Sequence, residues 1–267
     1  MLNSGVRREQ ILQALEMQDQ VRVNRLAQRF GVSTVTIRGD LRLLAEAGLV
    51  QRQHGGACTA RRAPPELPLE EKRAQHRERK HSIAARALKL VQPGDKLILD
   101  AGSTTLQLAR KLARAVAQPD AAAMAPLSIF TNSLPIANEL GAVQDIELLL
   151  SGGMLRKPSQ SLQGPQAEAS LDGYVFDRLF LGVDGCDPEF GLSTHDEAEA
   201  RLNARMTAQA RQVIVLADGS KFGRICLHRI CALERIDIVV SDASMPPAMR
   251  TALTQRGVQV LVAEEES

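Results

Sequence analysis

The chain has 267 residues, 44% of them hydrophobic, 24% charged and 3% aromatic, a composition that fits one or two globular domains and excludes a disordered, collagenous or disulfide-stapled chain. The formal net charge is only +2, but it is unevenly placed: residues 1–62 carry ten Arg and no Lys against five acidic residues, and the remainder is slightly acidic. A basic module joined to an acidic one is expected to bring a polyanion to the first and not to the second.

In chain order, Ile11, Leu12 and Leu15 recur at helical spacing between Arg7 and Leu15, and a second short helix is expected over Asn24 to Phe30, stopped by Gly31. Ser33 is placed to cap a third helix running to about Ala47, with Ile37, Leu41 and Leu44 as its apolar stripe. Leu49 to Arg52 then reads as a strand, His54-Gly55-Gly56 as a tight turn and Ala57 to Ala60 as the return strand. The expectation for residues 1–62 is a winged helix-turn-helix.

Pro64, Pro65 and Pro68 mark a linker, and Leu69 to Val91 reads as one charge-rich connecting helix, so residues 63–92 are expected to join two domains. From residue 93 to the end, strands and helices alternate. Strands are expected at 96–100, 127–131, 145–150, 175–182, 212–217, 236–240 and 258–262, and helices at 104–115, 134–140, 165–172, 195–210 and 246–256. That alternation predicts an α/β fold with a mostly parallel sheet covered by helices on both faces.

The third helix carries the chemistry of a DNA-reading element. Ser33, Thr34 and Thr36 put small hydroxyls in its first turn, and Arg38 and Arg42 lie on its outer face, where guanidinium groups reach guanine edges or phosphates. Arg52 and His54 on the wing are candidates for a flanking groove. A capped helix with a solvated basic face explains each residue singly; the helix, turn, hairpin and net charge together favour double-stranded DNA.

In the second module, Asp100-Ala101-Gly102-Ser103-Thr104-Thr105 runs from a strand into a helix, an arrangement that converges free N–H groups and the helix dipole on an anion, although the hydroxyls also serve as caps. Thr131-Asn132-Ser133, Ser151-Gly152-Gly153, Gly182-Val183-Asp184-Gly185 and Asp218-Gly219-Ser220-Lys221 also follow predicted strands, and ligands of open α/β sheets lie beyond such ends. Hydroxyls and Lys221 suit a phosphate, while Asp100, Asn132, Asp184 and Asp218 suit sugar hydroxyls; Gly102, Gly152 and Gly153 supply close backbone approach. Asp196, Glu197 and Glu199 either join this site or complement the dipole of the following helix, and Lys221 ranks above them.

Cys58, Cys186, Cys226 and Cys231 form no CxxC pair and have no His at ligand spacing, so reduced thiols are expected, with no metal and no cofactor. No apolar run approaches the roughly 18 residues needed to span a bilayer, and no signal-type apolar region follows the N-terminus. A cytoplasmic protein without membrane contact is expected.

These motifs resemble those of the DeoR-type bacterial repressors: Arg7 to Leu15, Ser33-x-x-Thr36-Ile37-Arg38-x-Asp40-Leu41, and the wing Arg52-x-His54-Gly55-Gly56-Ala57. Where that family commonly has a basic or polar residue before the Asp, this chain has Gly39. The second module resembles the family's sensor domain, itself similar to ribose-5-phosphate isomerase, and the resemblance implies that Asp100 to Thr105 and Lys221 bind phosphate. The stretches Ser159 to Gly164, Leu181 to Asp184 and Ser193 to Asn203 look most like the branch that regulates N-acetylgalactosamine and related amino-sugar use. A repressor relieved by a phosphorylated sugar, acting as a dimer or tetramer, is therefore expected in place of an enzyme. The alternatives are a sugar-phosphate isomerase-like enzyme and a ligand-independent DNA-binding protein with a scaffold C-terminal domain.

Overall fold

The computed structural model describes residues 4–18, 20–46, 50–53, 55–59, 66–117 and 126–264. The chain divides into two compact units, residues 1–64 and 65–267.

In the first unit, α1 (Ser4–Met17), α2 (Val23–Phe30) and α3 (Thr34–Glu46) pack with β1 (Gln20–Arg22), β2 (Val50–Gln53) and β3 (Gly56–Thr59). Ile11, Leu15, Leu26, Phe30, Ile37, Leu41 and Leu44 fill the core, the helical stripes expected from their spacing. Gly31 ends α2 at φ +62 and returns its N–H to the carbonyls of Ala27 and Gln28. The three strands form an antiparallel sheet in the order β1-β3-β2, so the wing has one strand more than the hairpin expected from sequence. The turn explains one wing glycine and that strand the other. Gly55 turns the chain at φ +80, and a Cβ on Gly56 would lie 2.1 Å from the carbonyl oxygen of Val21 on β1.

Inside this unit the Arg7 guanidinium on α1 donates to Asp40 on α3, Nε to Oδ2 at 2.6 Å and Nη2 to Oδ1 at 3.2 Å, with both residues buried. A two-pronged pair of this kind fixes an angle as well as a distance. Asp40 therefore holds α3 to α1 from the buried side of the helix, which also carries Ile37, Leu41 and Leu44.

The second unit begins with α4 (Leu69–Ala74) and α5 (Arg77–Leu88). Its main chain then runs through β4 (Lys96–Leu99), α6 (Ser103–Val116), β5 (Leu127–Thr131), α7 (Leu134–Leu140), β6 (Ile146–Leu150), β7 (Met154–Arg156), β8 (Ser161–Gln163), α8 (Pro165–Ala169), β9 (Phe176–Gly182), β10 (Gly185–Asp187) and β11 (Gly191–Thr194). It closes with α9 (Glu197–Gln209), β12 (Ala210–Leu216), β13 (His228–Cys231), β14 (Ile238–Ser241), α10 (Pro247–Gln255) and β15 (Gln259–Val262). Seven strands form one parallel sheet, β15-β14-β12-β9-β4-β5-β6. Alternate residues feed two cores: Leu97, Leu99, Phe180, Ile214 and Val240 meet α5, α6 and α7 residues on one face, and Ile98, Leu179, Leu181, Val215 and Val239 meet α8, α9 and α10 residues on the other. Burial on both faces is why these strands read as continuous apolar runs.

Three features depart from expectation. The stretch 63–92, read as linker and connecting helix, belongs over its described residues to the α/β unit, because Ile83, Ala84, Ala87 and Val91 are buried in the core beneath α6. The helix expected over 69–91 is broken at Gln75 and His76, the latter left-handed at φ +51. Two small antiparallel sheets, β7-β8 and β10-β11-β13, also emerge from connections that had no strand assigned.

Asp40→Ala takes the carboxylate from a buried guanidinium, and the expected loss is about 3–5 kcal/mol of stability in the first unit. Thermal denaturation of the variant, followed by circular dichroism, checks it; a midpoint equal to wild type would contradict the bracing role.

Candidate functional site

On α3 the Oγ of Ser33 accepts the N–H of Thr36 at 3.1 Å and lies 2.9 Å from Thr36 Oγ1, so Ser33 is the helix cap. Thr34 and Thr36 are partly exposed, and Arg38 and Arg42 point to solvent together with Val35, which is 72% exposed. Gly39 lies among them, and a Cβ there would meet nothing within 4 Å. The outer face of α3 is thus small, basic and free of bulk, as groove entry requires. Arg52 lies in β2, and His54 lies outside the described residues.

In the α/β unit the strand order reverses between β4 and β9, and the crevice at such a reversal is where open α/β sheets bind ligands. Both strands end in candidate residues. Asp100 is buried; its Oδ2 accepts the N–H of Gly182 at 3.2 Å, and its Oδ1 has no hydrogen-bond partner among the described residues. Burial, followed by the nearby Glu199, pushes this carboxyl well above its usual range, which favours its neutral form. Gly102 precedes α6 and has no side chain to cap it, leaving the first-turn N–H groups at Ser103, Thr104 and Thr105 without intrahelical acceptors. Thr105 Oγ1 itself donates to the Gly102 carbonyl at 3.0 Å.

Asp184, just past β9, is the electrostatic centre. Its Oδ1 lies 3.1 Å from Lys221 Nζ and 3.1 Å from Lys72 Nζ, and its Oδ2 receives Lys72 Nζ at 3.2 Å and Thr194 Oγ1 at 3.3 Å. Burial alone would raise this carboxyl, but the two ammonium groups hold it well below the usual carboxylate range. Thr194 Oγ1 also lies 2.8 Å from Glu199 Oε1. Burial and then the charge of Asp184 push Glu199 up to about 7. His195, lowered by burial, sits 3.7 Å from the Cys226 thiol, itself raised to about 12 by burial.

The expected residues are not all engaged alike. Asp184, Lys221, Asp100 and the start of α6 surround the reversal point, and Asp218 caps the turn that carries Lys221 by accepting Ser220 N–H at 3.0 Å. Asn132 is committed to structure: its Oδ1 accepts Ala101 N–H at 3.0 Å and its Nδ2 donates to Leu162 O at 3.4 Å. Gly153 is required by its backbone, at φ +112 and with a Cβ that would lie 2.5 Å from the Gln163 carbonyl, whereas a Cβ on Gly152 would meet only the movable Gln166 side chain, at 2.9 Å. Glu197 faces solvent, whereas Glu199, two residues on, turns inward. Lys72, Thr194 and Glu199 complete a cluster that the strand-end motifs did not contain. Among the described residues no group of His, Cys, Asp and Glu could hold a metal ion.

A family model described as the DeoR C terminal sensor domain matches residues 75–243, and one described as the DeoR-like helix-turn-helix domain matches residues 7–62. A protein of Escherichia coli O157:H7 named as an aga operon transcriptional repressor is 45% identical over 261 residues, covering 97% of this chain and 94% of that one. The glycerol-3-phosphate regulon repressor of Escherichia coli strain K12 is 30% identical over 250 residues, covering 94% and 95%. Among solved structures, a ribose 5-phosphate isomerase A from Methanocaldococcus jannaschii aligns with a TM-score of 0.39 and 20% identity over 54% of this chain and 53% of that chain.

The raised pKa of Glu199 makes a signed prediction. Its protonated form stabilises the fold, a contribution complete below the ordinary value of 4.5 and lost as pH rises through about 7. Glu199→Gln, neutral at every pH, is expected to gain thermal stability relative to wild type between pH 5 and pH 8. Parallel melting-temperature curves across that range would remove Glu199 from the buried cluster.

Proposed function

The chain belongs to the DeoR family of transcriptional regulators, and from that premise we propose that it is a sequence-specific repressor of a carbohydrate catabolic operon, relieved when a phosphorylated sugar binds its C-terminal unit. The observation that carries the effector half is the pair of lysine ammonium groups on one carboxylate oxygen, beside the open first turn of α6, at the reversal point of a parallel sheet. Lysine serves phosphate as a point charge, and a helix N-terminus serves it with N–H groups. The carboxyls of Asp100 and Glu199, both raised by burial, suit the hydroxyl and amino groups of the sugar.

An amino-sugar pathway is the reading favoured by the 45% identity to the protein named for the aga operon. The relatives are named transcriptional regulators and repressors, not enzymes. Operator reading falls to the outer face of α3, with Arg38 as base or phosphate contact and the wing at Arg52 and His54 as flanking contact. Helix-turn-helix proteins read paired half-sites, so the working form is a homo-oligomer. The site of action is the cytoplasm, where operator DNA lies; among the described residues no helix is long and apolar enough to cross a membrane. Release requires that the sugar phosphate bind the DNA-competent and DNA-incompetent states unequally.

Two substitutions separate the halves. Arg38→Ala is expected to weaken operator binding by about 1–3 kcal/mol with an unchanged melting temperature, read by fluorescence anisotropy at fixed salt; full affinity would exclude Arg38 from the interface. Lys221→Ala is expected to keep operator affinity and to lose release by a panel of hexose and amino-sugar phosphates. If it releases DNA at the same sugar-phosphate concentration as wild type, Lys221 does not bind the effector.

A further inference from the structure

We propose that Lys72 is a second phosphate-binding group of the effector site, so that the ligand is grasped directly by the segment through which the chain enters the α/β unit. The inference rests on the effector reading above. It adds a residue from α4, a helix that the strand-end logic of α/β sheets does not reach.

Residues 66–80 are strapped to the site by several independent contacts. Leu69 is buried and its N–H donates to the carbonyl of Pro158 at 2.7 Å. Glu66 pairs with Arg156, whose Nη1 reaches Oε1 at 2.9 Å, and lies 3.6 Å from Lys72 Nζ. Lys80, buried and lowered to about 8 by desolvation, donates its ammonium to the carbonyls of Lys72 and Gln75, the latter at 2.7 Å, which closes the end of α4 just before the left-handed turn at His76. With the backbone held in this way, Lys72 does not need Asp184 to keep its place.

What Lys72 does reach is the oxygen that Lys221 also reaches. Two ammonium groups at 3.1 Å from one Oδ1 are brought close together, and each side chain keeps about a fifth of its surface exposed (21% and 22%) while Asp184 is nearly covered. The carboxylate acts as a stand-in anion between two accessible cations. A phosphate group brings up to two charges and three terminal oxygens, and can take a hydrogen bond from each lysine without stripping Asp184 of both. When it does, Lys72 passes from Asp184 to the phosphate while the segment that carries it stays held by Leu69, Glu66 and Lys80.

The test uses full-length protein and isothermal calorimetry with galactosamine 6-phosphate, glucosamine 6-phosphate, tagatose 6-phosphate, their unphosphorylated sugars and inorganic phosphate. Lys72→Met and Lys72→Gln are each expected to weaken binding of the phosphorylated probe that wild type takes by at least about tenfold, since each 1.4 kcal/mol is a factor of ten. Lys72→Arg, which keeps the charge, is expected to bind within about threefold of wild type. Operator affinity without ligand stays within about twofold for all three. Lys72→Met or Lys72→Gln binding the phosphorylated probe as wild type does, whatever the melting temperatures, overturns the assignment and confines Lys72 to bracing, while Lys221→Ala still tests the site. Wild type that holds operator DNA but binds none of the probes overturns the effector reading, and this assignment with it.

Discussion

Seven strands running in one direction bring every carboxyl end to one side of the sheet, and the strand order reverses between β4 and β9. The candidate effector groups follow the ends of those two strands. Asp100 closes β4 onto the Gly182 amide, α6 starts with unspent N–H groups, and Asp184 keeps two lysines within hydrogen-bonding distance of one oxygen. Without that carboxylate the two ammonium groups would repel at close range in a poorly hydrated setting. The same charge is felt further in, where it helps to push Glu199 toward neutrality. One ionised side chain thus pairs with two cations and adds to burial in raising a neighbouring carboxyl.

The N-terminal unit depends on a different ionic contact with a similar logic. Arg7 and Asp40 fix α3 against α1 from the inside, so the helix can present Val35, Arg38 and Arg42 to solvent without relying on that face for stability. The position before Asp40 faces open space and the position after it, Leu41, is core. Structure and recognition are interleaved along one helix at single-residue spacing.

The fold was legible in the sequence where segments are long or buried on both faces. The parallel strands announce themselves as apolar runs, and α3, α6 and α9 by cap and stripe. Elements of three or four residues, such as β1, β7 and β10, leave no period to detect, and their partners lie elsewhere in the chain. For the same reason Lys72 fell unremarked within a charge-rich connecting helix: its partner Asp184 is 112 residues away. Glu199 could have been preferred over Glu197 by phase alone, since Leu202 and Asn203, three and four residues further, are both fully buried. The break at His76 left no signal, because no glycine marks the left-handed turn. Asn132, Gly152 and Gly153 were read from strand-end composition, which does not distinguish a residue that braces the loop from one that meets a ligand.

Gly39 leaves an empty seat on the reading face of α3. A glycine inside a helix costs roughly 1 kcal/mol against alanine, whereas a single good base contact is worth about 1–3 kcal/mol of discrimination. An alanine or a longer straight-chain residue introduced there would stabilise the helix and add a probe of the groove in one step, its Cβ meeting nothing within 4 Å. Operator preference can therefore drift, or be redesigned, at this residue at no expense to folding. Duplicated copies of such a gene could part company in the sites they recognise long before they differ in the sugar they sense.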